Sequence, residues 1–263
     1  MNGELKAGLV LTSLILLLSL TSFLWIGRDY NAMNSAHRFR PPSLEHPLGT
    51  DNFGRDIFSR IMTGGRNSLL LAVCTVTAAA LTGGILGLAS GYLGGITGGI
   101  IMRIIDAISS FPGIVLALLM IAVLDNGRFT LFTALFILFI PSYTRVMRTG
   151  AMRYKNSSFI EAEKVLGAGY LRITILHILP NLAPSLLSAS VLGLSNAVLA
   201  EAAMSYLGMG IQPPHPSWGR MLYESQSYFW GAPWAALAPG LFIMLTVTAF
   251  HLLGEGLRRR FGE

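Results

Sequence analysis

The chain has 263 residues, of which 52% are hydrophobic and 12% charged. Soluble domains carry about twice that charged fraction, so composition excludes an ordinary soluble enzyme and points to one polytopic helical bundle. The formal net charge of +6 comes from 19 Lys and Arg against 13 Asp and Glu. These bases flank apolar runs, which assigns them to topology and anionic lipid headgroups rather than to nucleic acid.

Crossing a hydrocarbon core takes roughly 20 helical residues, and backbone in lipid must be bonded internally. Six apolar runs meet that length and predict membrane helices over 8–27, 69–92, 100–124, 129–147, 182–208 and 235–256. The predicted class is therefore all-α, a six-helix membrane bundle. Only Lys6 precedes the first run, and Phe-Leu-Trp-Ile-Gly-Arg ends it without a small-residue cleavage site. It reads as a retained anchor. With the proline-containing segment 28–68 (Pro41, Pro42, Pro47) it forms an N-terminal region, 1–68, ahead of a core over 69–263.

In the second run Gly83, Gly87 and Gly91 recur every fourth residue, and Gly95 and Gly99 continue the series. That spacing puts them on one helical face suited to close backbone approach. Packing is the plain reading, and lining a translocation path is the sharper one. In the third run Asp106 follows Arg103 by three residues, the spacing of a local ion pair. Glu201 lies past the middle of the fifth run and must face a partner helix or a watery cavity. Asp106 and Glu201 are the two path candidates. In the sixth run His251 and Glu255 are spaced as a local pair, and Arg258–Arg260 read as a topology anchor. Trp218, Trp230 and Trp234 fall in 209–234, where amphipathic rings favour a membrane interface. Lys and Arg near the ends of the runs favour cytoplasmic N- and C-termini.

Enzyme chemistry is missing from the pattern. A phosphate-binding Walker loop needs Gly-Lys-Ser/Thr, and none of Lys6, Lys155 and Lys164 follows a glycine. There is no His-Glu-x-x-His and no Gly-x-Ser-x-Gly. The five histidines, His37, His46, His177, His215 and His251, show no close metal-ligand spacing in sequence. The single cysteine, Cys74, excludes an internal disulfide. No metal and no cofactor is expected on this chain.

Between the fourth and fifth runs lies a different kind of segment. Ser158-Phe159-Ile160-Glu161 fits a capping box and predicts a helix from Phe159 to about Leu166. Phe159, Ala162 and Leu166 share a face, with Val165 beside them. Gly167 stands where a left-handed cap wants glycine. A second helix is predicted from about Tyr170, ending before Pro180. On physics alone this is either an interfacial loop packed on its own bundle or a docking element for a soluble partner.

The pattern Glu161-Ala162-x-x-x-x-Gly167, followed by His177-Ile178-Leu179-Pro180-Asn181, resembles the EAA signature of ATP-binding-cassette (ABC) importer permeases. Glu163 departs from it, since that position usually holds a small residue. His46-Pro47-Leu48-Gly49-Thr50-Asp51, Gly54-Arg55-Asp56 and Ser59-Arg60 look like the N-terminal segment of the dipeptide/oligopeptide/nickel group. Leu207-Gly208-Met209-Gly210 and Pro216-x-Trp218-Gly219 look like its fifth-helix exit. The resemblance implies coupling helices over about 156–180 that dock an ATPase through Ser158, Glu161, Ala162, Leu166, Gly167 and Ala168. It implies ATP and Mg2+ on two separate ATPase subunits, a second homologous permease and an extracytoplasmic binding protein. The implied cargo is a small peptide or a nickel or metal-chelate complex, moved across a bacterial inner membrane. A secondary transporter driven by an ion gradient is the alternative; it would show inverted repeats, and no repeat between the halves is visible.

Overall fold

A computed structural model describes residues 3–22, 29–124 and 127–261. The end of the first predicted run, 23–27, and Asp125-Asn126 of the short turn lie outside the described residues. The described residues hold helices and no named strand; the sole ladder element is a bridge between Thr50 and Asp56.

The long helices are α1 (Gly3–Thr21), α2 (Ile57–Leu93), α5 (Arg128–Lys155), α8 (Leu179–Tyr206) and α10 (Trp234–Arg260). Between them lie α3 (Gly95–Ser109), α4 (Gly113–Leu124), α6 (Ser158–Val165), α7 (Tyr170–Arg172) and α9 (Trp218–Ser225). Among the described residues five helices are long and apolar enough to span a membrane, or six if α3 and α4 make one bent span. The third predicted run is thus two helices, bent by 86°. Pro112 and Gly113 sit at the bend; a proline lacks the N–H that would continue α3.

α2 starts well before the predicted 69, because Asp56 caps it: its side chain accepts from Ser59 N–H. The division at 68/69 therefore falls inside one helix of 37 residues.

The glycine stripe packs α2 against α5. A Cβ added at Gly83 would meet Ile140 O at 2.8 Å, at Gly87 Thr144 O at 2.5 Å, and at Gly91 Arg148 O at 2.7 Å. The plain packing reading holds for these three. Gly95 and Gly99 meet nothing within 4 Å, because the helix ends at Leu93 and the stripe ends with it. The contact between α1 and α10 repeats the device: Cβ atoms at Gly8 and Gly256 would strike the Leu253 and Leu5 backbones.

Both ends of the bundle are pinned by charge. At one end Arg259 pairs with Glu4 at 3.1 Å, so the two termini lie together. At the other, Arg55 and Arg60 both donate to Glu224 Oε2 at 2.9 Å, and Arg55 also holds Asp51 at 2.6 Å. Trp218 is 1% exposed and donates Nε1–H to Ile61 O. Trp234 donates to Thr50 O, while Trp230 is 94% exposed. Of the three tryptophans expected at an interface, Trp218 is instead a core residue: its indole N–H finds a buried carbonyl and so has no need of water.

Candidate coupling surface and interior polar sites

α5 ends at Lys155, and α6 follows after Asn156 and Ser157 on the end of the bundle that carries the termini. Tyr92 at the foot of α2 packs its ring against that of Tyr170, tilted by 55° with centroids 4.9 Å apart, which holds α7 at the same end. The predicted capping box does not form. Ser157, not Ser158, is the N-cap, and its hydroxyl donates back to Tyr154 O at 2.6 Å. Ser158 already has helical backbone, one residue too late to cap.

The other end of α6 is as expected. Gly167 has φ +81, its N–H bonds Lys164 O, and Ala168 N–H bonds Glu163 O, both at 3.0 Å. That pair of bonds is a Schellman cap, which satisfies carbonyls left open by the helix end.

The inward residue of α6 is Ile160, fully buried among Met147, Ala151, Ile173, Ile178 and Leu182. The predicted apolar face of Phe159, Ala162 and Leu166 points outward. Phe159 is 42%, Val165 88% and Leu166 80% exposed, and Ser158, Glu161, Ala162 and Gly167 are exposed with them. Ala168 is half-buried. Leu171, Ile175 and Leu176 are exposed as well. An outward apolar face on a short helix is a surface prepared for another protein or for lipid.

Pro180 does not end the second helix. Ile173–Ile178 form a π turn, in which Leu179 N–H reaches back five residues to Thr174 O. Pro180 then falls in the first turn of α8, where its missing N–H costs nothing. Tyr170–Tyr206 is consequently one helix of 37 residues. Glu163 clasps the two pieces, with Oε2 3.5 Å from His177 Nε2.

The interior acids fall elsewhere than spacing suggested. Asp106 pairs with Arg145 of α5 at 3.0 Å, not with Arg103, and Arg145 also donates to Ser109 Oγ. Both partners are more than half exposed. A groove of about 700 Å³ between α5 and α8 runs past Arg145, Thr149, Arg153 and Asn181. Glu201 is 0% exposed and accepts from Ser68 Oγ at 2.8 Å and Ser205 Oγ at 2.6 Å. Hydroxyls from α2 and α8 thus enclose its carboxylate within this chain. Glu255 pairs with Arg258 at 3.5 Å rather than with His251.

Two features at the end away from the termini were invisible in linear order. Arg55 and Glu224 are 169 positions apart, and the fold brings them together. Burial, and after it the Asp51 and Glu224 carboxylates, push the Tyr228 hydroxyl above its ordinary pKa, so that it stays neutral beside them. The second feature is His37 and His46, nine positions apart, whose ring nitrogens approach to 3.4 Å.

Known proteins share this arrangement. The family described as "Binding-protein-dependent transport system inner membrane component" matches residues 83–263. A dipeptide transport system permease protein, DppC, of Alkalihalophilus pseudofirmus is 40% identical over 252 residues, 95% of this chain and 83% of the relative. A glutathione transport system permease protein, GsiD, of Pectobacterium atrosepticum is 40% identical over 88% of this chain and 75% of its own. DppC of Haemophilus influenzae is 36% identical over 98% and 89%. An inward-facing methionine ABC transporter, MetNI, aligns with a TM-score of 0.58 at 19% identity, covering 74% of this chain and 95% of that one, which shows the shared fold. These matches displace the secondary-transporter alternative and place ATP hydrolysis on separate subunits. The chain belongs to the binding-protein-dependent inner membrane component family: it is a multi-pass permease subunit of an ABC importer.

Proposed function

We propose that this permease forms half of a translocation path for small peptides and is driven through α6 and α7 by a soluble ATPase. The observation that carries the docking reading is the exposed apolar face of α6, with Val165 and Leu166 standing out from a helix whose one buried residue is Ile160. Ser158, Glu161, Ala162, Leu166, Gly167 and Ala168 are the proposed docking residues of the EAA-type loop. ATP and Mg2+ act on two ATPase subunits and not on this chain. A second, homologous permease completes the path, and lipid covers the outward Leu, Ile and Val side chains. Both termini face the cytoplasm. Residues 29–56 and 209–234 face an extracytoplasmic binding protein. Asp106 and Glu201 are the path candidates; Asp106 pairs with Arg145, which lines the groove.

The peptide class rests on relatives named for dipeptides and glutathione; nickel or a metal chelate is the other outcome of the same test. The complete transporter is rebuilt in liposomes with its binding protein, and ATP-dependent uptake of labelled dipeptide and of 63Ni2+ is compared. Dipeptide uptake is expected. Uptake of nickel alone overturns the peptide reading. For docking, Leu166→Cys is expected to cross-link to the ATPase subunit. Labelling of Leu166→Cys only by impermeant reagent added outside the cell overturns it.

A further inference from the structure

Residues 35–59 bring metal-ligating side chains together ahead of α2. His37 ends a 3-10 turn, Ser35–His37, and its carbonyl accepts from the Thr50 hydroxyl. His46 sits in a turn closed by Ser43 N–H and Gly49 N–H on its own carbonyl, with Ser43 Oγ accepting from its N–H. These bonds hold the main chain at both histidines in place. His37 Nδ1 lies 3.4 Å from His46 Nε2, and a Glu45 carboxylate oxygen lies within 4.8 Å of both rings' ligand atoms.

Three details fit a metal rather than a chance cluster. Two imidazole nitrogens on one tetrahedral Zn2+, each about 2.0–2.1 Å from it, are about 3.3 Å apart, close to the observed spacing. The other nitrogen of His46, Nδ1, is 2.9 Å from Asp56 Oδ1. A carboxylate can only accept, so Nδ1 carries the proton, which leaves Nε2, on the side of His37, as the ring's metal-ligating nitrogen. This carboxylate–histidine arrangement is the usual outer support of a metal-bound imidazole. Finally, Asp56 is itself held: its Oδ2 accepts from Ser59 N–H at 2.8 Å and Ser59 Oγ at 2.7 Å as the cap of α2. Asp56 and Glu45 also bring two negative charges to balance a dication.

We infer that His37, Glu45 and His46 form a site for a divalent transition ion of the Zn2+, Co2+ or Ni2+ class, with Asp56 positioning His46. Two imidazoles and one carboxylate suit these borderline ions better than Mg2+ or Ca2+. The ion acts as a structural latch that ties the outer segment to the first turn of α2. It is separate from any cargo.

The test uses the full chain purified without a polyhistidine tag and titrated with Co2+, followed by visible absorption and metal content. About one equivalent is expected, with the intense visible bands of a low-coordinate N/O site. His37→Ala and Glu45→Gln, both changes of side chains reachable from the surface, are expected to weaken binding about a hundredfold or more. Zn2+ is expected to raise the melting temperature of the unaltered chain and not of either variant. Equal Co2+ uptake by the unaltered chain and His37→Ala, with both eluting as folded protein, overturns the site. So does failure of the unaltered chain to take up Co2+ at micromolar concentration.

Discussion

Gly167 and Glu201 show how differently two residues can be constrained. At Gly167 an added Cβ meets nothing within 4 Å, so only the backbone angle of +81 demands glycine. An ordinary L-residue there costs about 1–2 kcal/mol, whereas asparagine tolerates the left-handed region. Gly167→Leu is expected to leave membrane insertion intact and to lower ATP-driven uptake in liposomes, with Gly167→Asn recovering most of it. Normal uptake by Gly167→Leu counts against docking through this loop. Glu201 is constrained by its surroundings. Glu201→Gln keeps an acceptor and is expected to be mild. Glu201→Leu strands the Ser68 and Ser205 hydroxyls, at about 1–3 kcal/mol for each unsatisfied group. The expected result is a clear drop in melting temperature in detergent. By contrast Asp106→Asn breaks a pair that is more than half exposed, which is worth about 0–1 kcal/mol. Its melting temperature is expected to hold, so any change in uptake reports on the path.

Among elements, the Gly167 cap and the long apolar helices were legible because they follow from local rules: backbone angle and span length. The bend at Pro112-Gly113 was not read, because apolar composition continues across the break and the run reads as one helix. The direction of the α6 face was left open, because periodicity names a shared face without saying which way it points. Ile160 won the inward position through its fit among Met147, Ile173 and Ile178. Pro180 was read as a stop because sequence offers no sign of a π turn that seats the proline in a first turn. The α2–α5 contact gives the sharpest test at this scale. Gly87→Leu drives a side chain into the Thr144 carbonyl and Met147, so it is expected to reduce the folded yield strongly, measured as monodisperse protein after extraction. Gly99→Ala, beyond the stripe with open space around it, is expected to be neutral.

At the scale of the whole molecule, the ends are held by ions and the middle by close apolar packing. The knot at the end away from the termini depends on one carboxylate: Glu224 accepts from both Arg55 and Arg60. Removing one partner from a buried ion cluster typically costs about 3–5 kcal/mol. Glu224→Gln is therefore expected to lower the melting temperature markedly and to loosen the segment ahead of α2, seen as faster amide exchange there. This knot could not be read from the sequence, since its partners come from opposite ends of the chain.

The π turn has a mechanical consequence. Because α7 runs into α8 without a loop, Tyr170 and Tyr206 are the two ends of one shaft of 37 residues, about 55 Å long at 1.5 Å per residue. A displacement of its Tyr170 end that left the shaft rigid would be carried to the Ser205 and Gly208 turn at the other end. The shaft has one coupling that can slip. A π turn stores one residue more than an α turn, and one residue is about 100° of helical rotation. Rewinding Ile173–Ile178 would convert an axial thrust into a twist of the remaining bar, with the Glu163–His177 clasp as the catch that must release first.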